Sequence, residues 1–426
     1  MIILLVVMLG LIAIGVPIAF SIAASGLSYV LLESFPLAVM AQRMVVGIDS
    51  FSLLAIPLFI FAGAIMAEGE ITPKIMALAK ILVGRMYGGL AMIMVVTSMF
   101  FGAISGSGVA AVVAVGGIML PSMNKEGYKR PFSAALLGCS GCLATIIPPS
   151  ITMVVLGVSM GTSIGRLFLG GVLPGILTGI ALMILAYFFA RKEDYPRSSK
   201  PTREEVYVAI RESILPMFTP LIIIMGIMHG IFTATEAGAV ASLYAIILAG
   251  IVYKKLTWEK FWKVCYATAE GSCIILLIIS AASLFGWIMA SEQIPQRVAE
   301  LILSISNNYW VVLLLFNLLL LFLGLFMETI AVVLIITPIF MPIMVQLGMD
   351  LTHMGVMMVL NLAIGANTPP LGVSLITACR VADTPYETSF RYVFPFVGAM
   401  IVALLLVNLF PQIVTFLPDL LMGKAS

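Results

Sequence analysis

Two pairs of adjacent prolines constrain this chain most: Ala144-Thr145-Ile146-Ile147-Pro148-Pro149-Ser150, and its counterpart Gly365-Ala366-Asn367-Thr368-Pro369-Pro370. Each pair interrupts an apolar run that otherwise reads as a membrane-spanning helix. Proline lacks a backbone donor and clashes with the preceding turn, so a helix must open there. In lipid, opened backbone is tolerated only where it is buried in protein or lines a cavity. Two such breaks, placed alike in two halves of a chain, are the sequence pointer to a transporter's binding site.

Composition agrees with a chain dissolved in lipid. It is 62% hydrophobic and only 10% charged over 426 residues, against about 25% charged in soluble domains. The net charge of +2 and the short basic clusters argue against nucleic-acid binding. Cys139 and Cys142 form a C-x-x-C but sit in a small-residue apolar run with no partner pair, which reads as helix packing rather than redox or metal chemistry. The first residues are apolar, with Ala23-Ala24-Ser25 nearby but no basic n-region, and read as an uncleaved membrane helix.

Apolar stretches near the 20-residue bilayer length recur at Ile2 to Leu32 (one or two spans), Phe51 to Ala67, Leu90 to Met123, Phe132 to Met160 and Leu167 to Ala190. A polar stretch from Arg191 to Glu212 reads mainly as loop. Then come Ile214 to Val252 (two spans), Ala267 to Ala290, Trp310 to Val345, Gly355 to Ala378 and Val393 to Leu417.

The halves repeat. Pro121, Pro148, Pro149 and Pro174 recur 221 residues later as Pro342, Pro369, Pro370 and Pro395. Chance at this proline frequency would give fewer than one match. Gly63, Ile65, Met66 and Ala67 recur as Gly286, Ile288, Met289 and Ala290. The expected organisation is repeat one over 1–190 (arm about 1–50, transport part about 51–190), a cytoplasmic connection over 191–213, and repeat two over 214–426 (arm about 214–263, transport part about 264–426).

Cytoplasmic loops are enriched in Lys and Arg, and equivalent loops of the two repeats carry opposite bias. Arg43 alone faces Lys254, Lys255, Lys260 and Lys263. The next connection sets Lys74, Lys80 and Arg85 against Arg297, and the one after sets Lys125, Lys129 and Arg130 against none. At the repeat ends, Arg191, Lys192, Arg197, Lys200 and Arg203 face Lys424. This pattern implies inverted topology and both termini outside the cytoplasm. Met86 to Met123 then starts and ends on the cytoplasmic side, a re-entrant hairpin turning at Gly102 to Gly108. Its counterpart, Trp310 to Val345, turns near Gly324 to Thr329.

Two hairpin turns and two broken helices are expected to meet. Ser105, Ser107, Thr145, Thr329, Asn367 and Thr368 supply side-chain oxygens, which suit a hard cation, while half-helix N-termini favour an anion. Tight helix packing alone would also account for Gly-x-Ser-x-Gly. The pairing with a proline break in both repeats favours a site. Glu328 is an ionisable residue in a membrane segment, either a ligand or proton carrier, or a brace. Glu236 reads as a cap on the turn between two arm helices. Arg380 and Arg391 read as topology anchors, with Arg380 also close enough to the second break to reach a carboxylate. Ser105 and Ser107 have no activating histidine, since His229 and His353 lie in unrelated loops, so a hydrolase is disfavoured. A single-file channel fits the paired breaks less well than an occluded site.

The stretches Phe101 to Pro121, Leu143 to Pro149, Phe232 to Ala239 and Asn361 to Pro370 (NLAIGANTPP) resemble the large membrane subunit of tripartite ATP-independent periplasmic (TRAP) transporters, and the resemblance extends over essentially the whole chain. It implies an all-α, multi-pass protein of the bacterial inner membrane. Two inverted-topology repeats, each with a re-entrant hairpin and a broken helix, would work as an elevator. It implies sodium-coupled import of an organic acid (sialic acid, a C4-dicarboxylate, or a related sugar or keto acid) and no enzymatic activity. The implied partners are a separate small four-helix membrane subunit and a periplasmic substrate-binding protein; the only implied cofactor is co-transported sodium. One sodium site would use Ser105, Ser107 and backbone around Ala144, Ile147 and Pro149. A second would use Thr329 with backbone around Gly365, Thr368 and Pro370. Substrate would lie between them, near Gly106, Thr145, Asn367, Glu328 and Arg380, although Arg380 stands where many relatives have a small residue. The alternative is a self-sufficient sodium/dicarboxylate symporter.

Overall fold

A computed structural model describes residues 2–197 and 200–424, and among them every regular element is helical. Among the described residues, eight helices are long and apolar enough to cross a membrane. The first proline pair joins Arg130–Ile146 to Ile151–Met160 with a 43° bend. Both Pro–Pro peptide bonds are cis.

Element order repeats with the proline shift. Leu37–Ile48 and Ala55–Glu68 in the first half answer to one continuous helix, Trp258–Ser291, in the second. Thr72–Val83 answers to Ile294–Ile305. The first hairpin, Gly89–Ser105 and Gly108–Lys125, answers to Tyr309–Gly324 and Thr329–Gln346. The first broken helix, Arg130–Gly141 with Leu143–Ile146 and then Ile151–Met160, answers to Leu351–Gly365 and Val373–Val381. The first half closes on the proline-containing helix Ile164–Lys192, and the second on its counterpart Phe390–Leu409 followed by Gln412–Met422, so the stretch expected from Val393 to Leu417 is two helices parted at Phe410 and Pro411. The leading hairpin helices, Gly89–Ser105 and Tyr309–Gly324, reach roughly 25 Å at 1.5 Å per residue, short of the ~30 Å hydrocarbon core. That length suits a hairpin that does not cross fully.

Short helices subdivide both the first apolar stretch, expected as one or two spans over Ile2 to Leu32, and some expected connections. Ile2–Ala13 and Ile18–Leu32 are separate helices parted at Gly15 and Pro17. Ile294–Ile305 turns Ile294, Val298 and Ile302 inward and Gln296, Arg297 and Glu300 outward, a helical period hidden in a brief, mixed segment. The polar stretch from Arg191 to Glu212 is loop only in its middle. Ile164–Lys192 runs into it, and Arg203–Met228 begins within it behind a Thr202–Glu205 capping box. A second capping box, Thr233 with Glu236, opens Ala234–Ile246 as expected for Glu236. There the carboxylate and hydroxyl satisfy helix-start donors that would otherwise be orphaned.

The two halves exchange partners. Ala55–Glu68 packs on Ala234–Ile246, and the equivalent Trp258–Ser291 packs on Ile18–Leu32. Small polar groups join neighbouring helices: Ser242 Oγ donates to the Leu58 carbonyl (2.8 Å) across the first pair, and Ser280 Oγ of Trp258–Ser291 to the Met44 carbonyl (2.9 Å) of Leu37–Ile48, which packs on it as well. Likewise Ile151–Met160 packs on the second hairpin, and Val373–Val381 on the first. Trp258–Ser291 passes position 263/264 without interruption and continues onto Thr329–Gln346. One helix thus touches both the arm and the hairpin body.

Ion pairs sort the connections into two layers. Lys74 meets Glu212 (2.8 Å) and lies over the Tyr253 ring. Lys255 meets Glu70 (2.9 Å), Lys263 meets Glu68 (2.6 Å), Lys129 meets Glu193, and Arg130 meets Asp383 (3.1 Å). The connections bound this way carry every Lys and Arg except Arg43, Arg166, Arg297 and Lys424. Those four lie by the far ends of helices that start or finish in the basic layer. Arg166 opens Ile164–Lys192 and meets Asp419, and Arg43 lies over Trp287 near the end of Trp258–Ser291.

Candidate functional site

Four irregular segments meet because glycines let backbones touch. The first hairpin turns at Gly106, whose φ of 64° favours glycine. A Cβ there would stand 2.7 Å from the Pro149 carbonyl oxygen. The Gly106 carbonyl accepts the Ile151 N–H (3.3 Å), pinning the hairpin tip to the first break. Below the tip, a Cβ on Gly102 would lie 2.6 Å from the Ala144 Cα. The second half repeats this approach with Gly324 against Gly365.

Side chains then order the breaks. Ser107 caps Gly108–Lys125 by accepting the Ala110 N–H. Ser150 caps Ile151–Met160 and donates to the Thr145 carbonyl (2.6 Å). Thr145 Oγ1 donates to the Cys142 carbonyl (2.8 Å), and Thr368 Oγ1 to that of Ile364 (2.8 Å). Glu328 takes the equivalent cap in the second hairpin. Its Oε2 accepts from Ile330 N–H (2.8 Å) and Ala331 N–H (3.2 Å), so bracing is one thing this carboxylate does.

A cavity of ≈ 220 Å³ opens where the segments converge. Both hairpin turns line it, through Gly106, Ser107, Glu328 and Thr329, and so do both breaks, through Thr145, Thr152, Ala366 and Ser374. The remaining wall is apolar: Ile274, Ile275 and Ile278 of the long helix Trp258–Ser291. Polar groups of the hairpin body therefore face a greasy surface of the arm helix.

Of the residues singled out from sequence, Gly106, Ser107, Thr145, Glu328 and Thr329 reach this cavity. Ser105 lies just behind it, buried against Gly63, with an Oγ that has no hydrogen-bond partner. Ala144 and Gly365 are backbone neighbours of the hairpins, and the Ile147 side chain lies against Gly175 of Ile164–Lys192. Thr368 is half-buried and Pro370 exposed beyond the second break. Asn367 turns away from the cavity. Its Nδ2 donates to Cys142 Sγ (2.8 Å) and the Ala363 carbonyl (3.0 Å), while its buried Oδ1 has no partner. Arg380 is exposed and lines a separate depression with Asp383 and Tyr386. His353 bonds the Val407 carbonyl instead of a serine.

The sequence under-read three features. Thr152 and Ser374 are each the second residue of the helix after a break, but they stand one residue out of register under the 221-residue shift, which pairs Thr152 with Val373 and Met153 with Ser374. Cys142 does more than pack: its Sγ donates to Ser374 Oγ (3.2 Å) and bridges the two breaks with Asn367. Nothing in the sequence marks Ile274, Ile275 and Ile278 off from other apolar residues of their helix.

Comparison with known proteins gives a consistent picture. Residues 5–413 match the family model described as the DctM component of tripartite ATP-independent periplasmic transporters. The sialic acid TRAP transporter large permease protein SiaM of Vibrio cholerae is 41% identical over 416 residues, 97% of each chain. The C4-dicarboxylate TRAP transporter large permease protein DctM of Pseudomonas aeruginosa is 37% identical over 371 residues, 87% of each chain. A solved structure, the Alcanivorax borkumensis YdaH transporter, superposes with a TM-score of 0.59 at 14% identity, over 88% of this chain and 89% of that one. That last likeness is one of fold alone.

Proposed function

The chain belongs to the DctM component family of the tripartite ATP-independent periplasmic transporters, the large permeases, and on that footing we propose that it imports an organic acid across the bacterial inner membrane, driven by sodium. A periplasmic binding protein delivers the acid, and a small four-helix membrane subunit completes the complex. The convergence of both hairpin tips and both breaks on one polar cavity, closed by an apolar arm helix, carries the reading.

In this proposal one sodium ion sits by Ser105 and Ser107 with backbone oxygens around Ala144, Ile147 and Pro149. The other sits by Thr329 with backbone around Gly365, Thr368 and Pro370. The unpartnered, buried Ser105 Oγ supports the first, since a hard cation takes oxygen ligands and a buried hydroxyl otherwise lacks compensation. Substrate lies between, against Gly106, Thr145 and Glu328.

The hairpins and breaks move together as an elevator against the arm helices, the seam falling along Ile274 to Ile278. An apolar seam lets the polar body slide without leaving hydrogen bonds broken. The exchanged packing of the halves supports inverted repeats, and the basic layer supports a cytoplasmic face. Both termini are then periplasmic: Arg166, at the far end from that layer, donates to the Gly423 carbonyl. Met1 and Ser426 themselves lie outside the described residues.

Labelled-acid uptake into proteoliposomes holding this chain and its small subunit tests the proposal. Uptake should require both an inward sodium gradient and the binding protein. Sodium-driven uptake without the binding protein would replace it with a self-sufficient symporter.

A further inference from the structure

A cluster of buried amides lies outside the cavity and joins the second hairpin to the second break. Asn317 stands on Tyr309–Gly324, the leading helix of that hairpin, Asn361 on Leu351–Gly365, and Asn408 on Phe390–Leu409. All three side chains are buried. Asn317 is the hub. Its Oδ1 accepts from Asn361 Nδ2 (2.8 Å) and from Asn408 Nδ2 (3.3 Å), and its main-chain carbonyl accepts from Asn361 Nδ2 as well (3.1 Å). Its own Nδ2 donates to the Leu313 carbonyl (2.8 Å). One side chain thus ties three helices together.

Stability alone does not account for these amides. Oδ1 of Asn361 and Oδ1 of Asn408 are buried without a partner among the described residues, and an orphaned acceptor in a protein interior is destabilising. Apolar side chains would cost less. A buried asparagine kept at such a cost fixes the register of packed helices.

The place recurs in the other half. Asn361 stands four residues before Gly365, which meets Gly324 backbone to backbone. Ser140 stands four residues before Ala144, which meets Gly102 in the same way. Ser140 accepts from Ser98 Oγ (3.2 Å) of the first hairpin's leading helix, and both serines are buried. Each close backbone contact therefore has a polar tie about one helical turn away.

We infer that Asn317 is a positioning residue: with Asn361 and Asn408 it fixes the register of the second hairpin on the second break, and through it the affinity of the second sodium site. This rests on the sodium-coupled reading above. A contact between glycines is smooth and does not stop two helices from sliding, whereas hydrogen bonds are directional. A slip of one residue would carry each carbonyl about 1.5 Å along the helix axis, too far for an ion–oxygen bond to follow. The amides act on the oxygens around Gly365 and Thr329 without touching the ion.

Sodium-induced thermal protection of the purified chain with its small subunit tests this without cargo or binding protein. The all-Leu variant, Asn317→Leu with Asn361→Leu and Asn408→Leu, should melt at least as high as wild type in the absence of sodium, because the orphaned acceptors leave with the amides. It should nevertheless need roughly fivefold more sodium for half-protection, the weight of about one neutral hydrogen bond. Asn317→Ala, which adds no bulk, should show the same sodium shift. Asn317→Asp keeps the shape, the acceptor and, as the neutral acid, a donor to the Leu313 carbonyl, and should keep wild-type sodium dependence. Wild-type sodium dependence in Asn317→Ala overturns the inference and leaves sodium-coupled transport standing. An all-Leu variant that melts lower with its sodium dependence unchanged also overturns it, assigning the amides to stability. If that variant does not fold, Asn317→Ala against Asn317→Asp decides. Wild-type protein that sodium fails to protect strikes the sodium reading itself, and the inference falls with it.

Discussion

Gly324 and Gly365 meet backbone to backbone: a Cβ added to Gly365 would stand 2.8 Å from the Gly324 Cα. Gly102 and Ala144 make the same approach in the other half. The hairpins are therefore seated on the broken helices by missing side chains as well as by hydrogen bonds such as those from the Ile151 N–H to the Gly106 carbonyl and from Asn361 Nδ2 to Asn317 Oδ1. That choice suits a site needing backbone oxygens close together, because each methyl added between two main chains pushes both carbonyl arrays apart.

Gly365→Ala should accordingly disable the second hairpin. Forcing a methyl into such a contact costs about 1–3 kcal/mol through backbone shifts. Sodium-driven uptake should drop by roughly tenfold or more, with expression largely retained. Gly117→Ala is the control, since a Cβ there meets nothing within 4 Å. Equal uptake by the two variants would show that the seating of the hairpin has no part in transport.

Ser105→Ala separates an ion ligand from a packing residue. The Ser105 hydroxyl is buried without a hydrogen-bond partner, a state costing about 1–3 kcal/mol in a protein interior. Removing it should leave thermal stability unchanged or higher when sodium is absent. If the oxygen holds sodium, the half-saturating sodium concentration should rise roughly tenfold, in keeping with the loss of one bond to a charge. Stabilisation with unaltered sodium dependence would assign Ser105 to packing.

Much of this arrangement was legible before any coordinates. The proline shift aligned the two halves, and with them the hairpin turns and breaks, because proline and glycine act on backbone geometry wherever they stand. Glu236 reads from the sequence as a cap on the turn between two arm helices, and the Thr233–Glu236 capping box is that cap. The amphipathic Ile294–Ile305 and the helical start at Arg203 were not read, since twelve mixed residues or a capping box inside a polar stretch carry little periodic signal. Asn367 and Arg380 show the harder limit. Sequence places both beside the second break, but which way a side chain turns depends on partners such as Cys142, more than 200 residues away. The wall at Ile274 to Ile278 belongs to the same class, as only tertiary packing distinguishes it.

In the basic layer, Glu70 gives a pH-dependent prediction. The hydrogen bond and charge of Lys255 hold its carboxyl below the usual carboxylate range. A depressed folded value means stability that is complete above the unfolded value, about 4.3, and lost as pH falls through the folded one. The melting temperatures of wild type and Glu70→Gln should therefore differ by a constant small amount from pH 7 down to about 5 and converge as the pH falls further, past the unfolded value and through the depressed folded one. Both partners are half-exposed, so added salt should also shrink the gap. A gap that survives acid would mean that Glu70 acts by packing and not by charge.

The position of the same layer decides which way the transporter faces. Glu204 is exposed at the start of Arg203–Met228, within the layer, and Glu33 is exposed at the end of Ile18–Leu32, beside the Tyr29–Glu292 hydrogen bond on the far side. Native cysteines number five, so single-cysteine variants at Glu33 and Glu204 are built after replacing them. A membrane-impermeant maleimide added to intact cells with a permeabilised outer membrane should label Glu33→Cys at once. Glu204→Cys should react only after the inner membrane is opened, because Lys and Arg concentrate on the cytoplasmic side. The reverse pattern would turn the protein over and move both termini into the cytoplasm. It would also turn the basic layer to the periplasmic side, leaving the charge bias without its ordinary cause.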